Sequence, residues 1–194
     1  MSRLIQFPDD VLKGQYSYYD FDQFVGLDTT NKYTATAGTG YTVTNHASAG
    51  APLKLFSGVD NTEAALIDKT KALQFRASHP ITFYALAKYE NPASDGNMCI
   101  GISSASGVLG DDGAGLASSF VGAAFYTKDG SPNLWVTARN GATNGQDIEL
   151  VGSNRNNLSE TTILGSSTSE RVFRIEVRDR GADSSDVNFW VDDT

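Results

Sequence analysis

The stretch 172–193, VFRIEVRDRGADSSDVNFWVDD, constrains the fold more than any other part of the chain. Phe173, Ile175 and Val177 recur at every second position, with Arg174, Glu176 and Arg178 between them. Val187, Phe189 and Val191 repeat the pattern against Asn188, Trp190 and Asp192. A strand gathers each apolar set on one face, because its successive side chains point to opposite sides of the sheet. Between the two runs, residues 180–186 hold mainly turn formers and charges, so an antiparallel hairpin is expected. Such a hairpin needs a second apolar surface, since two strands alone are marginal in water.

The rest of the chain supplies candidates for that surface. Lys32–Ala37 and Tyr41–Asn45 are Thr-rich β-formers around Gly38-Thr39-Gly40 and read as a hairpin. Pro52–Phe56 reads as a strand. Glu63–Asp68 with Lys69–Leu73 fits a short helix or a strand. Ile81–Tyr89 is apolar on both faces, which predicts a strand inside a sheet, with Met98–Ile102 returning as its hairpin partner after the turn Asn91–Gly96. Ser103–Ser119 is Gly-rich and reads as a long surface loop. Phe120–Tyr126 and Asn133–Ala138 flank Asp129-Gly130, a hairpin turn. Asp147–Val151 and Thr161–Leu164 complete a series of about ten to twelve short strands at the spacing of an antiparallel two-sheet β-sandwich. Tyr16–Val25 is a further strand candidate. The expected organisation is an N-terminal arm or edge strand over 1–15 and one all-β sandwich domain over 16–194.

Composition narrows the function classes. With 40% hydrophobic and 20% charged residues the chain is globular rather than disordered. A net charge of −8 argues against nucleic acid and against anionic membranes, both of which call for a basic surface. Cys99 is the single cysteine, so no intrachain disulfide forms, and its apolar surroundings suit a small hydrophobe. Residues 1–10 lack an apolar core of signal-peptide length and no run approaches a membrane span, which points to folding in a reducing cytoplasm.

Catalytic chemistry finds few footholds. Sandwich glycosidases place an acid and a nucleophile on one strand face. Asp147 and Glu149 share a face, but no third acid stands at the required place, so they read as solvated carboxylates. His46 and His79 give neither Cys99 nor a zinc ion a recognisable partner set. Asp111-Asp112, or Asp183, Asp186, Asp192 and Asp193, offer oxygens to calcium without diagnostic spacing, and acidic turns account for them better. No catalytic, cofactor or metal residue is assigned. Trp135 and Trp190 fall opposite their strands' main apolar residues, which makes them the candidate ligand or partner contacts; a covering loop would instead bury them.

Taken together, Tyr19–Phe24, Ile81–Lys88, Val121–Ser131, Asn133–Val136, Phe173–Val177 and Val187–Asp192 resemble segments of a group of tailed-bacteriophage virion structural proteins with a concanavalin A-like, laminin-G-like jelly-roll. The resemblance spans most of residues 16–193 and rests on loose strand and turn motifs. It implies a non-enzymatic capsid decoration (cement) protein on the virion surface, made in the host cytoplasm, with the major capsid protein and further copies of the chain as partners. A lectin-like module that binds glycans through Trp135 or Trp190 is the alternative. Such domains continue with further strands after the Val-Asp-Asp turn, so the edge at Val187–Val191 is expected to be completed by the N-terminal segment or by another subunit.

Overall fold

The computed structural model describes residues 32–37, 42–45, 53–56, 64–68, 80–87, 98–103, 115–128, 134–140, 146–150, 170–181 and 184–192. These hold eleven strands and no helix, and every strand pair is antiparallel. The chain divides into two compact units, Met1–Leu73 and Gln74–Thr194. The expectations for 1–15, Tyr16–Val25 and Thr161–Leu164 lie outside the described residues.

In the first unit β1 (Tyr33–Ala37) pairs with β4 (Ala64–Asp68), and β2 (Thr42–Asn45) pairs with β3 (Leu53–Phe56). The expected hairpin between Lys32–Ala37 and Tyr41–Asn45 is therefore corrected: the two segments join different partners, one pair nested within the other in sequence. The open choice at 63–68 resolves as strand. Tyr33 is buried, with the Lys32 ammonium 5.1 Å from its ring centre.

The second unit has two sheets. One runs β11-β10-β5, with β5 at Ile81–Ala87, β10 at Arg171–Gly181 and β11 at Ser184–Val191. The other runs β6-β7-β8-β9, with β6 at Cys99–Ser103, β7 at Val121–Thr127, β8 at Leu134–Asn140 and β9 at Gln146–Glu149. The hairpins expected on either side of Asp129-Gly130 and between 172 and 193 both form. Met98–Ile102, by contrast, is not the partner of Ile81–Tyr89. β5 pairs with β10, and β6 pairs with β7 in the opposite sheet. Period-two patterning sets which residues share a face, and it leaves the partner strand open. Ile81–Ala87 is a strand as expected; among the described residues only β10 flanks it, and Leu86 on its outer face is 42% exposed.

The inner faces of the two sheets share one core. Ala123, Phe125, Leu134 and Val136 of one sheet cluster with Phe173, Ile175 and Val191 of the other. Phe125 sits at the centre, fully buried, with edge-to-face contacts to Phe173 at 5.1 Å and Phe189 at 5.3 Å between ring centres. Burial of a Phe side chain contributes about 1.5–3 kcal/mol, and each edge-to-face pair adds about 0.5–1.5 kcal/mol. The arrangement is a two-layer antiparallel β architecture of sandwich type.

Local devices hold the strands in register. Gly122, at φ +152°, faces the Ile102 carbonyl so closely that a Cβ would overlap the oxygen, and only glycine fits. The Thr127 hydroxyl accepts a bond from the Met98 amide at 2.8 Å, while the Thr127 amide donates to the Met98 carbonyl at 3.0 Å. Asp192 adopts the left-handed region, φ +53°, and closes the β10–β11 hairpin at the end away from its turn. Its amide donates to the Val172 carbonyl at 2.8 Å. Its carboxylate accepts from the Val172 amide at 2.9 Å and from Arg171 at 2.7 Å.

Candidate functional site

Alternation sends every second side chain of each sheet outward, and the two outer faces carry the candidate contacts. Register places Cys99, Tyr126, Trp135 and Glu149 in one row across β6 to β9. The next row is Gly101, Ala124, Thr137 and Asp147. Small residues there make room for Leu116 and Phe120, which pack on Ala124 and Tyr126. The end of the expected surface loop thus lies down on this sheet. Val108 and Leu109, the residues expected to fasten it, lie outside the described residues.

Trp135 and Tyr126 stand 6.3 Å apart in tilted rings, and Lys128 spans both. Its ammonium is 3.5 Å from the Trp135 ring centre and 5.6 Å from that of Tyr126. A cation over an indole face gains about 0.5–2 kcal/mol, more as water is excluded. Both aromatic residues also have a buried polar atom without a hydrogen bond, the Trp135 Nε1 and the Tyr126 hydroxyl.

Beside them lies an ion pair. Asp147 accepts from the Thr137 hydroxyl at 2.6 Å and from Arg139 Nε at 3.0 Å, with a second Arg139 contact through Nη2. Arg139 Nη1 reaches the Ala117 carbonyl at 3.4 Å and so links the covering segment to the sheet. Burial alone would raise the Asp147 carboxyl. The bonds from Arg139 and Thr137 outweigh that and hold it below the ordinary carboxylate range. The Tyr126 hydroxyl lies close enough to Asp147 to feel its charge. Burial raises its pKa far above the usual tyrosine range, and the nearby carboxylate raises it further. Asp147 thus stays ionised and Tyr126 stays neutral across the neutral range.

The other outer face has a parallel device. Tyr84, Arg174 and Trp190 form one row across β5, β10 and β11. The Arg174 guanidinium carbon is 3.8 Å from the Trp190 ring centre and 5.9 Å from that of Tyr84. Nearby, Arg178 pairs with Glu176 and Arg180 with Asp186.

Trp135 and Trp190 therefore point outward, as alternation requires, but from opposite layers. They form two separate surfaces, not one site. Neither is an open stacking platform, because each ring is half-buried and topped by a cation. Lys128 and Arg174 were not among the residues expected to form a contact, although Arg174 was visible as an outward residue of its strand. Cys99 is half-buried and in no disulfide. Among the calcium candidates, Asp186 and Asp192 instead face Arg180 and Arg171, and Asp111, Asp112, Asp183 and Asp193 lie outside the described residues, as do His46 and His79. No group of three or more metal-capable side chains occurs among the described residues. No protein-family model, curated protein or solved structure matches the chain.

Proposed function

We propose that the chain is a non-enzymatic structural component of a tailed-phage virion, a decoration protein seated on the outer face of the capsid. In this reading its strands belong to a concanavalin A-like jelly-roll, the major capsid protein is its partner, and further copies of the chain join it. The segment-by-segment resemblance supports the virion setting. The observation that favours a protein partner over a sugar is the capping of both outward tryptophans. Lys128 and Arg174 occupy the ring faces on which a sugar would stack. What remains outside is a pair of broad β faces edged with ion pairs, suited to docking by shape and charge.

Co-sedimentation with purified capsids of a tailed phage that carries the gene tests the proposal. The protein is expected to pellet with the capsids and to saturate at a fixed ratio. Retention in the supernatant at every ratio would overturn it.

One observation favours the lectin-like reading as the second choice. The Trp135 Nε1 and the Tyr126 hydroxyl are buried without a hydrogen-bond partner, and a bound ligand rich in hydroxyls would supply such partners. Binding on a glycan array that is lost in Trp135→Ala would move the conclusion to that reading.

A further inference from the structure

Residues 115–120 lie as a strap on the outer face of the β6–β9 sheet. Leu116 and Phe120 are buried in one cluster with Ala124 and Tyr126 of β7, and Trp135 packs against it. Gly115 stands at the start of the strap in the left-handed region, φ +89°. A Cβ there would come 3.1 Å from Tyr126 Cε2 and 3.0 Å from Lys128 Cγ, so the strap backbone rests on both side chains. Lys128 in turn caps Trp135, which couples the indole to the strap. Arg139 Nη1 reaches the Ala117 carbonyl at 3.4 Å, longer than a typical N–H···O bond.

The apolar contacts favour a closed strap, but the polar chemistry beneath opposes it. The Tyr126 hydroxyl and the Trp135 Nε1 are buried with no hydrogen-bond partner. Water would bond both if it could reach them, so each group counts against the closed form. The Phe120 amide bonds the Ala117 carbonyl at 3.0 Å, so the strap holds a turn of its own that a rigid movement preserves. β7 pairs with β6 on one side and β8 on the other, and neither ladder uses the strap.

From these observations we infer that residues 115–120 are a cover that opens apart from the sheet beneath and admits water to the Tyr126–Trp135 pair. The two unpaired groups weaken the closed form without weakening either ladder. Opening also releases the Lys128 stem from Gly115. The open form presents an indole N–H, a tyrosine hydroxyl and two aromatic rings that the closed form holds half-buried or buried. The inference goes beyond the virion reading and stands whether or not that reading does.

The test follows the Trp135 indole proton in the full chain carrying Trp190→Phe, where it gives the single indole N–H signal. No hydrogen bond protects this proton, so its exchange into deuterium oxide reports water reaching the site. Exchange is expected to be nearly independent of urea at low concentration, while the β7 amides follow urea with the slope of global unfolding. Tyr126→Phe removes one unpaired group and should slow indole exchange about fivefold or more. Phe120→Ala removes an anchor of the strap and should speed it about tenfold or more. Indole exchange with the same urea slope as the β7 amides would overturn the inference, as would equal or faster exchange in Tyr126→Phe. The Tyr126→Phe comparison decides the matter even where Phe120→Ala fails to fold. Neither capsid nor glycan enters the experiment, so its result is separable from those of co-sedimentation and the array.

Discussion

Asp147 shows how one side chain can tie three pieces of the molecule together. It accepts bonds from Thr137 and Arg139, and Arg139 in turn reaches the Ala117 carbonyl of the covering segment. The pair is partly solvated, with side-chain exposures of 17% for Arg139 and 25% for Asp147, so its Coulomb attraction is screened. Asp147→Asn is expected to cost about 1 kcal/mol at neutral pH. The sign of the pH dependence follows from the lowered carboxyl pKa. The folded form holds the proton less tightly than the unfolded chain, so the stabilisation is complete above the unfolded value. It is lost as pH falls through the folded one, below about pH 4. Urea melts between pH 7 and pH 3 should show a steeper acid decline in wild type than in Asp147→Asn. Parallel curves would mean the carboxylate contributes nothing.

At the scale of strands, the β6–β7 ladder depends on a glycine. At Gly122 both the φ of +152° and the nearness of the Ile102 carbonyl exclude a Cβ. Gly122→Ala should cost at least about 2 kcal/mol and loosen β6 first, measured as a lowered melting point with faster amide exchange at Cys99–Ser103. An unchanged melting point would show that the ladder can open there without cost. The same elements show what a sequence can reveal. Phe173, Ile175 and Val177 announced their face by period, and Asp129-Gly130 announced a turn, so the β7–β8 and β10–β11 hairpins were legible. The partnership of β5 with β10 was not, because it joins segments far apart in sequence and no local pattern names the partner. Trp135 and Trp190 were legible as outward residues. Their cations were not: Lys128 follows the end of β7 and reaches across to β8, and Arg174 reaches Trp190 only once register is set.

Across the second unit as a whole, the two layers depend on each other. Phe125 contacts both Phe173 and Phe189, and the buried cluster draws on both sheets, so neither apolar face can be exposed without exposing the other. Truncation of so central a ring, Phe125→Ala, removes a side chain of the kind whose loss costs about 3–5 kcal/mol. The two tryptophans turn this dependence into something optical. The chain has only two, and each is mounted on a different layer, beneath its own cation. Trp190→Phe leaves an emitter on the β6–β9 layer alone, and Trp135→Phe leaves one on the β5–β10–β11 layer alone. Denaturant titrations of the two variants, followed by intrinsic fluorescence and corrected for each variant's own midpoint by circular dichroism, should superimpose. A lag between fluorescence and dichroism in one variant would mean that its layer loosens by itself. The placement of the indoles thus gives each half of the core its own spectroscopic channel, with no added dye.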